Sequence, residues 1–136
     1  MATEFEGGCR CGKVRYQCRA EPVFVGHCHC RDCQYASGGA YSTIVGVPTE
    51  ALTLTGELGG FTVDTDSGNQ VTRRFCTTCG SPILSELSAN AAMTVLKAAT
   101  LDDPGWLKPA VHIWMASSQP WVETSGELPS FDRSPG

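Results

Sequence analysis

The chain has 136 residues, of which 41% are hydrophobic and 18% charged, an ordinary globular composition at the size of one domain that excludes a disordered chain. Ten basic residues against 14 acidic ones give a formal net charge of −4, so no global positive field exists to hold phosphate backbones and nucleic acid is not an expected partner. No segment approaches the ~20 consecutive apolar residues of a membrane-spanning helix. The start, MATEFEGG, lacks the basic residues and apolar run of a secretion signal, so a cytoplasmic protein with no membrane partner is expected.

Fifteen glycines and eight prolines divide the chain into short pieces, most of them alternating or rich in β-branched and aromatic residues, which predicts a mainly β protein. In Lys13 to Arg19 the apolar residues fall on every second position, so Val14, Tyr16 and Cys18 are expected to face inward,. Further strands are predicted at Val23 to Val25, Tyr41 to Val47, Ala51 to Thr55, Gly60 to Val63, Val71 to Phe75, Met93 to Ala98 and Val111 to Met115,. One helix of one or two turns starts near Arg31 and stops before Ser37-Gly38-Gly39,. Asp64 to Asn69 is polar and turn-rich, which predicts an exposed loop between two strands,. A single domain is expected over residues 1–121, followed by a loosely tethered tail over residues 122–136, where periodicity is lost,.

Eight cysteines are many for such a chain, and seven of them cluster: Cys9 and Cys11, then Cys28, Cys30 and Cys33, then Cys76 and Cys79. In a reducing compartment clustered thiols bind metal or do chemistry more often than they form disulfides. Cys76-Thr-Thr-Cys79-Gly80 reads as a zinc knuckle, a tight turn that brings two thiolates to one ion,. A closed tetrahedral site needs a second pair, and Cys9 with Cys11 is the natural complement. Cys28, Cys30 and Cys33 then remain, and three protein ligands with an open fourth position is the arrangement of catalytic zinc. Two other readings stand beside this one: the clusters pair as disulfides, or Cys28, Cys30 and Cys33 close a structural site of their own with His27 or His29. Cys18 reads as a buried small hydrophobe rather than a ligand.

These clusters, in this order, resemble the family of glutathione-dependent formaldehyde-activating enzymes and centromere protein V-like proteins. The resemblance runs from Gly8 to about Trp121. It rests on Gly8-Cys9-Arg-Cys11-Gly12-Lys-Val14, on Cys28-His29-Cys30-Arg-Asp-Cys33 with Ala36-Ser37-Gly38, and on Arg74-Phe75-Cys76-Thr-Thr-Cys79-Gly80-Ser-Pro82. It continues in Leu101-Asp102-Asp103-Pro104, Pro109, His112-Ile113-Trp114 and Trp121. The resemblance implies a β-tent fold, small antiparallel sheets leaning together around a zinc site. It also implies two zinc ions per chain, a structural one on Cys9, Cys11, Cys76 and Cys79 and a catalytic one on Cys28, Cys30 and Cys33. The activity it implies is the reversible joining of glutathione and formaldehyde to S-(hydroxymethyl)glutathione, a carbon–sulfur lyase reaction.

Adding a thiol to a small aldehyde needs a thiolate and help for the alkoxide that forms. A zinc ion with an open position suits either task, and three thiolates leave the centre one net negative charge, which favours thiol chemistry over generating hydroxide. Arg31 and His29, interleaved with the ligands, are candidates to offset that charge, although each also reads as an ordinary loop residue. Ser37, Gly38 and Gly39 could offer a hydroxyl and N–H groups to a substrate or only end the helix. Asp102-Asp103-Pro104-Gly105 reads as a turn, His112 as a core residue at least as readily as a catalytic one, and Trp106, Trp114 and Trp121 as core more readily than as pocket lining,. The expectation is therefore a zinc enzyme acting on an adduct of glutathione or a similar thiol with an aldehyde. The alternative is a zinc-stabilised binding module without catalysis. A methionine sulfoxide reductase is disfavoured because no cysteine after Cys79 is left free for redox work,.

Overall fold

Two sheets share one core in the computed structural model, which describes residues 4–124, 126 and 128–134. Strands β1 (Phe5–Gly8), β2 (Arg15–Cys18) and β5 (Leu52–Thr55) form a three-stranded antiparallel sheet. The larger sheet contains β3 (Phe24–Cys28), β4 (Ser42–Pro48), β6 (Leu58–Asp64), β7 (Gln70–Cys76), β8 (Pro82–Leu87), β9 (Met93–Lys97) and β10 (Val111–Ile113), in the order β10-β3-β4-β9-β8-β7-β6. The mainly β expectation holds, with two differences in detail. The large sheet has seven strands, and its β10–β3 pair is parallel. The long connection from β9 back to β10 permits that direction, since parallel strands cannot be joined by a tight hairpin.

Two strands were not predicted. β1 escapes because Gly7 and Gly8 dilute its alternation, and β8 because it opens on Pro82, a residue tolerated at a strand's first position,. The one α-helix among the described residues, α1 (Arg31–Ser37), lies where the sequence puts it and ends at Gly38. Residues 65–69 form the predicted loop between β6 and β7, while Asp64, expected in the loop, is the last residue of β6.

The alternation of the strands divides the large sheet into two faces. Val25, Val45, Leu96 and Leu84 are successive cross-strand partners on one face. They meet Phe5, Tyr16 and Cys18 of the smaller sheet, and Val14 just before β2, in the main core. The opposite face carries Cys28, Ser42, Ile44 and Lys97, paired through the same register. Near this core Tyr16 and Thr100 share a hydroxyl hydrogen bond of 2.7 Å, and the Asp102 N–H donates to Glu6 O at 2.9 Å. The segment after β9 thereby fastens the small sheet to the large one.

Strand β10 is an edge of the large sheet, and residues beyond Trp121 lie along it. The His112 N–H donates to Pro129 O at 2.9 Å, the Phe131 N–H to His112 O at 2.9 Å and the Met115 N–H to Phe131 O at 2.9 Å. Within the segment expected to be a loose tail, positions 125, 127, 135 and 136 lie outside the described residues.

Leu96 is fully buried at the centre of the main core. Leu96→Ala is expected to destabilise the protein by about 2–5 kcal/mol through lost burial and the cavity left behind. Urea unfolding of metal-loaded protein measures this, and a change below about 1 kcal/mol would contradict the packing described.

Candidate metal centre and active site

The first thiol cluster is built from two turns. At the N-terminal one, the Cys9 N–H donates to Val14 O at 3.0 Å and the Gly12 N–H to Cys9 O at 3.2 Å. At the other, the Cys76 N–H donates to Ser81 O at 3.0 Å and the Gly80 N–H to Cys76 O at 2.9 Å. Gly12 and Gly80 close these turns with φ of 85° and 78°, a region that side chains with a Cβ rarely adopt. A register shift between Arg74 and Phe75 bends β7 as it enters its turn,. The Arg10 N–H donates to Ser81 Oγ at 3.1 Å and ties the two turns together.

The four sulfur atoms of Cys9, Cys11, Cys76 and Cys79 consequently lie within 4.8 Å of one another. Cys9 and Cys11 Sγ are 3.5 Å apart, and Cys11 and Cys76 Sγ 3.8 Å. Zinc–sulfur bonds of ~2.3 Å in a tetrahedron put thiolates about 3.8 Å apart, so this donor set fits a four-coordinate ion. Backbone N–H groups point at the sulfurs, from Val14 to Cys9 Sγ at 3.2 Å and from Thr78 and Cys79 to Cys76 Sγ at 3.4 Å each. Hydrogen bonds from the Ser81 hydroxyl and backbone hold the Cys79 thiol down at about 5,. None of the four lines the cavity into which the second cluster opens.

The second cluster lies on the opposite face of the large sheet. Cys28 ends β3 and points away from the main core, while Cys30 caps α1, its sulfur accepting from the Cys33 N–H at 3.3 Å. The short helix turns Cys33 back toward Cys28, and all three sulfurs lie within 4.8 Å of one another. Hydrogen bonds from the Cys28 and Cys30 thiols hold Cys33 far below the ordinary thiol range, with Lys97 and Arg73 adding attraction,. The same sharing pushes Cys28 up, so the trio favours one thiolate and resists a second,.

These thiols open into a cavity of about 630 Å³. Its floor is the outer face of the sheet, with Phe24, Ile44, Val95 and Ile113 among its apolar residues, and Trp114 also lines it. Trp114 has a φ of 59°, strained for a bulky side chain, a kind of cost that clusters at functional sites,. Lys97 and Arg73, neither anticipated as site residues, also line this floor. The available signal was a cation in the alternating apolar stripe of each strand, Met93-Val95-Lys97 and Val71-Arg73-Phe75.

The other candidates fall outside the pocket or on its margin. His29 is fully buried, its Nε2 hydrogen-bonded to His112 Nδ1 at 3.0 Å. Burial, then His112, holds it below the usual histidine range, so it is an unsuitable cation to offset thiolate charge. Its ring belongs to a packed group with His27, His112 and Tyr41 on the core side of the sheet. Arg31 is exposed at the rim, donating to Gln34 Oε1 at 2.6 Å and lying 4.9 Å from the Tyr35 ring centroid. Ser37, Gly38 and Gly39 end the helix and do not line the cavity. Asp102 pairs with Arg15 through both carboxylate oxygens, and Asp103 Oδ1 accepts from the Gly105 N–H at 3.1 Å as a turn residue. Trp106 packs on Phe5 with ring centroids 5.4 Å apart, whereas Trp121 is 70% exposed and serves neither core nor pocket. Cys18 is buried in the main core, as expected.

Residues 4–117 match the family described as glutathione-dependent formaldehyde-activating enzyme. The match spans most of the chain, and the protein belongs to this family. A crystal structure of a Rhodobacter sphaeroides protein has a similar fold, with a TM-score of 0.57 and 18% identity over 92% of this chain and 98% of that one. No curated protein sequence matches the chain. Among the described residues no helix is long and apolar enough to cross a membrane.

The hydrogen bonds at Cys79 set a pH expectation. Below its titration the thiol is protonated and protons compete with metal; above it the thiolate is ready to bind. Ser81→Ala is expected to move this titration from about 5 toward the ordinary thiol value of about 8.5. The pH dependence of Cys79 alkylation in metal-free protein measures it, and an unmoved titration would remove Ser81 from this role.

Proposed function

We propose that the chain catalyses the reversible addition of a glutathione-type thiol to formaldehyde, giving S-(hydroxymethyl)glutathione, in the carbon–sulfur lyase class. The observation that carries this reading is the difference between the two thiol clusters. Four thiols, a complete tetrahedral donor set with Cys11 and Cys79 at the surface, gather away from the cavity, whereas only three open into it. Zinc is the ion best suited to both donor sets, a structural one on Cys9, Cys11, Cys76 and Cys79 and a catalytic one on Cys28, Cys30 and Cys33. When bound at the three-thiol set, zinc supplies a Lewis acid that lowers the pKa of an incoming thiol or polarises a carbonyl.

The protein's own residues supply the rest. Phe24, Ile44, Val95, Ile113 and Trp114 line the cavity beside the thiols with apolar surface, and a less polar surround strengthens electrostatic interactions at the reacting atoms. In the addition the sulfur lone pair forms the C–S bond, the C=O π pair moves to oxygen, and the proton that left the thiol ends on that oxygen. The reverse direction breaks the same bond. A cavity of about 630 Å³ is within the usual range of small-molecule sites and suits a tripeptide thiol with a one-carbon aldehyde,. The chemistry requires reduced thiols, consistent with a cytoplasmic setting.

Cys30→Ser is expected to lower kcat/KM for adduct formation by about a hundredfold or more while leaving the fold intact. Nuclear magnetic resonance of the hydroxymethyl product gives the rate above the spontaneous reaction, and circular dichroism reports the fold. An undiminished rate in the variant would overturn the assignment of these thiols to the reaction.

A further inference from the structure

The floor of the thiol pocket holds two cations for which the chemistry above has no use. Lys97 lies opposite Ile44 across β9 and β4, and Cys28 lies opposite Ser42 across β3 and β4. The Lys97 Nζ reaches along the sheet to donate to Ser42 Oγ at 2.9 Å. Its ammonium thus lies beside Ser42, the residue that Cys28 faces on the neighbouring strand. Lys97 is only 7% exposed. Arg73 sits opposite Ser85 on the same face, and its Nε is buried without a hydrogen-bond partner.

Among the described residues no carboxylate lies within ion-pair distance of either cation. The acids that line the pocket, Asp32, Asp64 and Asp66, are exposed. Asp64 accepts from Gln70 at 3.1 Å, and Asp66 lies 3.8 Å from Arg133. Arg31, the remaining cation of the lining, is held by Gln34 and the Tyr35 ring. Buried cations are costly unless an anion meets them. Three thiolates around a divalent ion carry one net negative charge against two positive charges from Lys97 and Arg73, which leaves one positive charge to be matched.

We propose that Lys97 and Arg73 form an anion subsite beside Cys28, Cys30 and Cys33 that takes an anionic oxygen of the bound substrate. The inference rests on the thiol-addition reading above. The anionic oxygen has two sources there, a carboxylate of the thiol compound and the alkoxide that develops on the aldehyde when the C–S bond forms. Both present an oxygen anion to charge-assisted N–H donors.

The test uses zinc-loaded wild type, Lys97→Met, Lys97→Arg and Arg73→Met, with metal content and thermal unfolding recorded for each. Calorimetric titration with mercaptopropionate and with mercaptoethanol compares an acidic and a neutral small thiol without any turnover. If the carboxylate is the ligand, wild type binds the acidic thiol about tenfold or more tightly. Lys97→Met and Arg73→Met abolish the preference, and Lys97→Arg retains most of it. If the alkoxide is the ligand, the two thiols bind alike, and Lys97→Met lowers kcat for the glutathione–formaldehyde adduct about tenfold or more with KM unchanged. Lys97→Arg then restores much of kcat. Should Lys97→Met fail to fold, Ser42→Ala, which frees the Lys97 ammonium from its anchor, is expected to weaken the same quantity. The subsite is overturned if the folded, zinc-loaded variants keep both the binding preference and kcat of wild type, or if every loss follows lost zinc. A wild type that prefers the acidic thiol through Lys97 yet forms no adduct would instead overturn the functional reading and leave the subsite standing.

Discussion

Everything in this molecule depends on the parity of the large sheet. Because successive side chains of a strand point to opposite faces, a single antiparallel register can send Val25, Val45, Leu84 and Leu96 into the main core and Cys28, Ile44, Val95 and Lys97 into the pocket. The core face is covered by the three-stranded sheet, and the other face is left to form a cavity. A slip of one residue in β3 or β9 would exchange these roles, placing Cys28 or Lys97 in the core and apolar residues in the pocket. The register is therefore fixed by the hydrophobic core and inherited by the site.

The two thiol clusters differ in how the chain delivers them. Cys9, Cys11, Cys76 and Cys79 come from two tight turns bound together through Arg10 and Ser81, so the four sulfurs form a compact set that joins distant parts of the chain. Cys28, Cys30 and Cys33 come from one continuous strand, turn and helix start. That local piece supplies only three thiols and leaves the side facing the cavity to other molecules. The buried His29–His112 hydrogen bond braces this piece from the core side, joining the residue between Cys28 and Cys30 to β10.

Much of this was legible in the residues themselves. Alternation in Val14-Arg15-Tyr16-Gln17-Cys18 and the apolar stripes of β4 and β9 signalled strands, and the spacing of the cysteines separated a knuckle from a three-thiol group. What the chain could not reveal alone were features made by long-range pairing. β1 has two glycines in four residues and is recognisable only through its partner β2. Lys97 reads as the polar end of a strand until the β4–β9 register sets its ammonium beside Ser42, the residue that Cys28 faces. His29 and Arg31 looked like the natural charges near the thiols because they adjoin them in sequence, yet the fold turns one into the core and the other to the rim. The cations that line the floor of the pocket, Lys97 and Arg73, arrive instead from strands far along the chain.

A four-thiol site and a three-thiol site open to the cavity coexist in this fold. Native mass spectrometry of protein purified without chelator tests this directly by counting zinc ions per chain before and after mild chelation. Two ions are expected, with the one on Cys28, Cys30 and Cys33 lost first because its site opens to the cavity. One tightly held ion that added zinc cannot raise to two would contradict the claim.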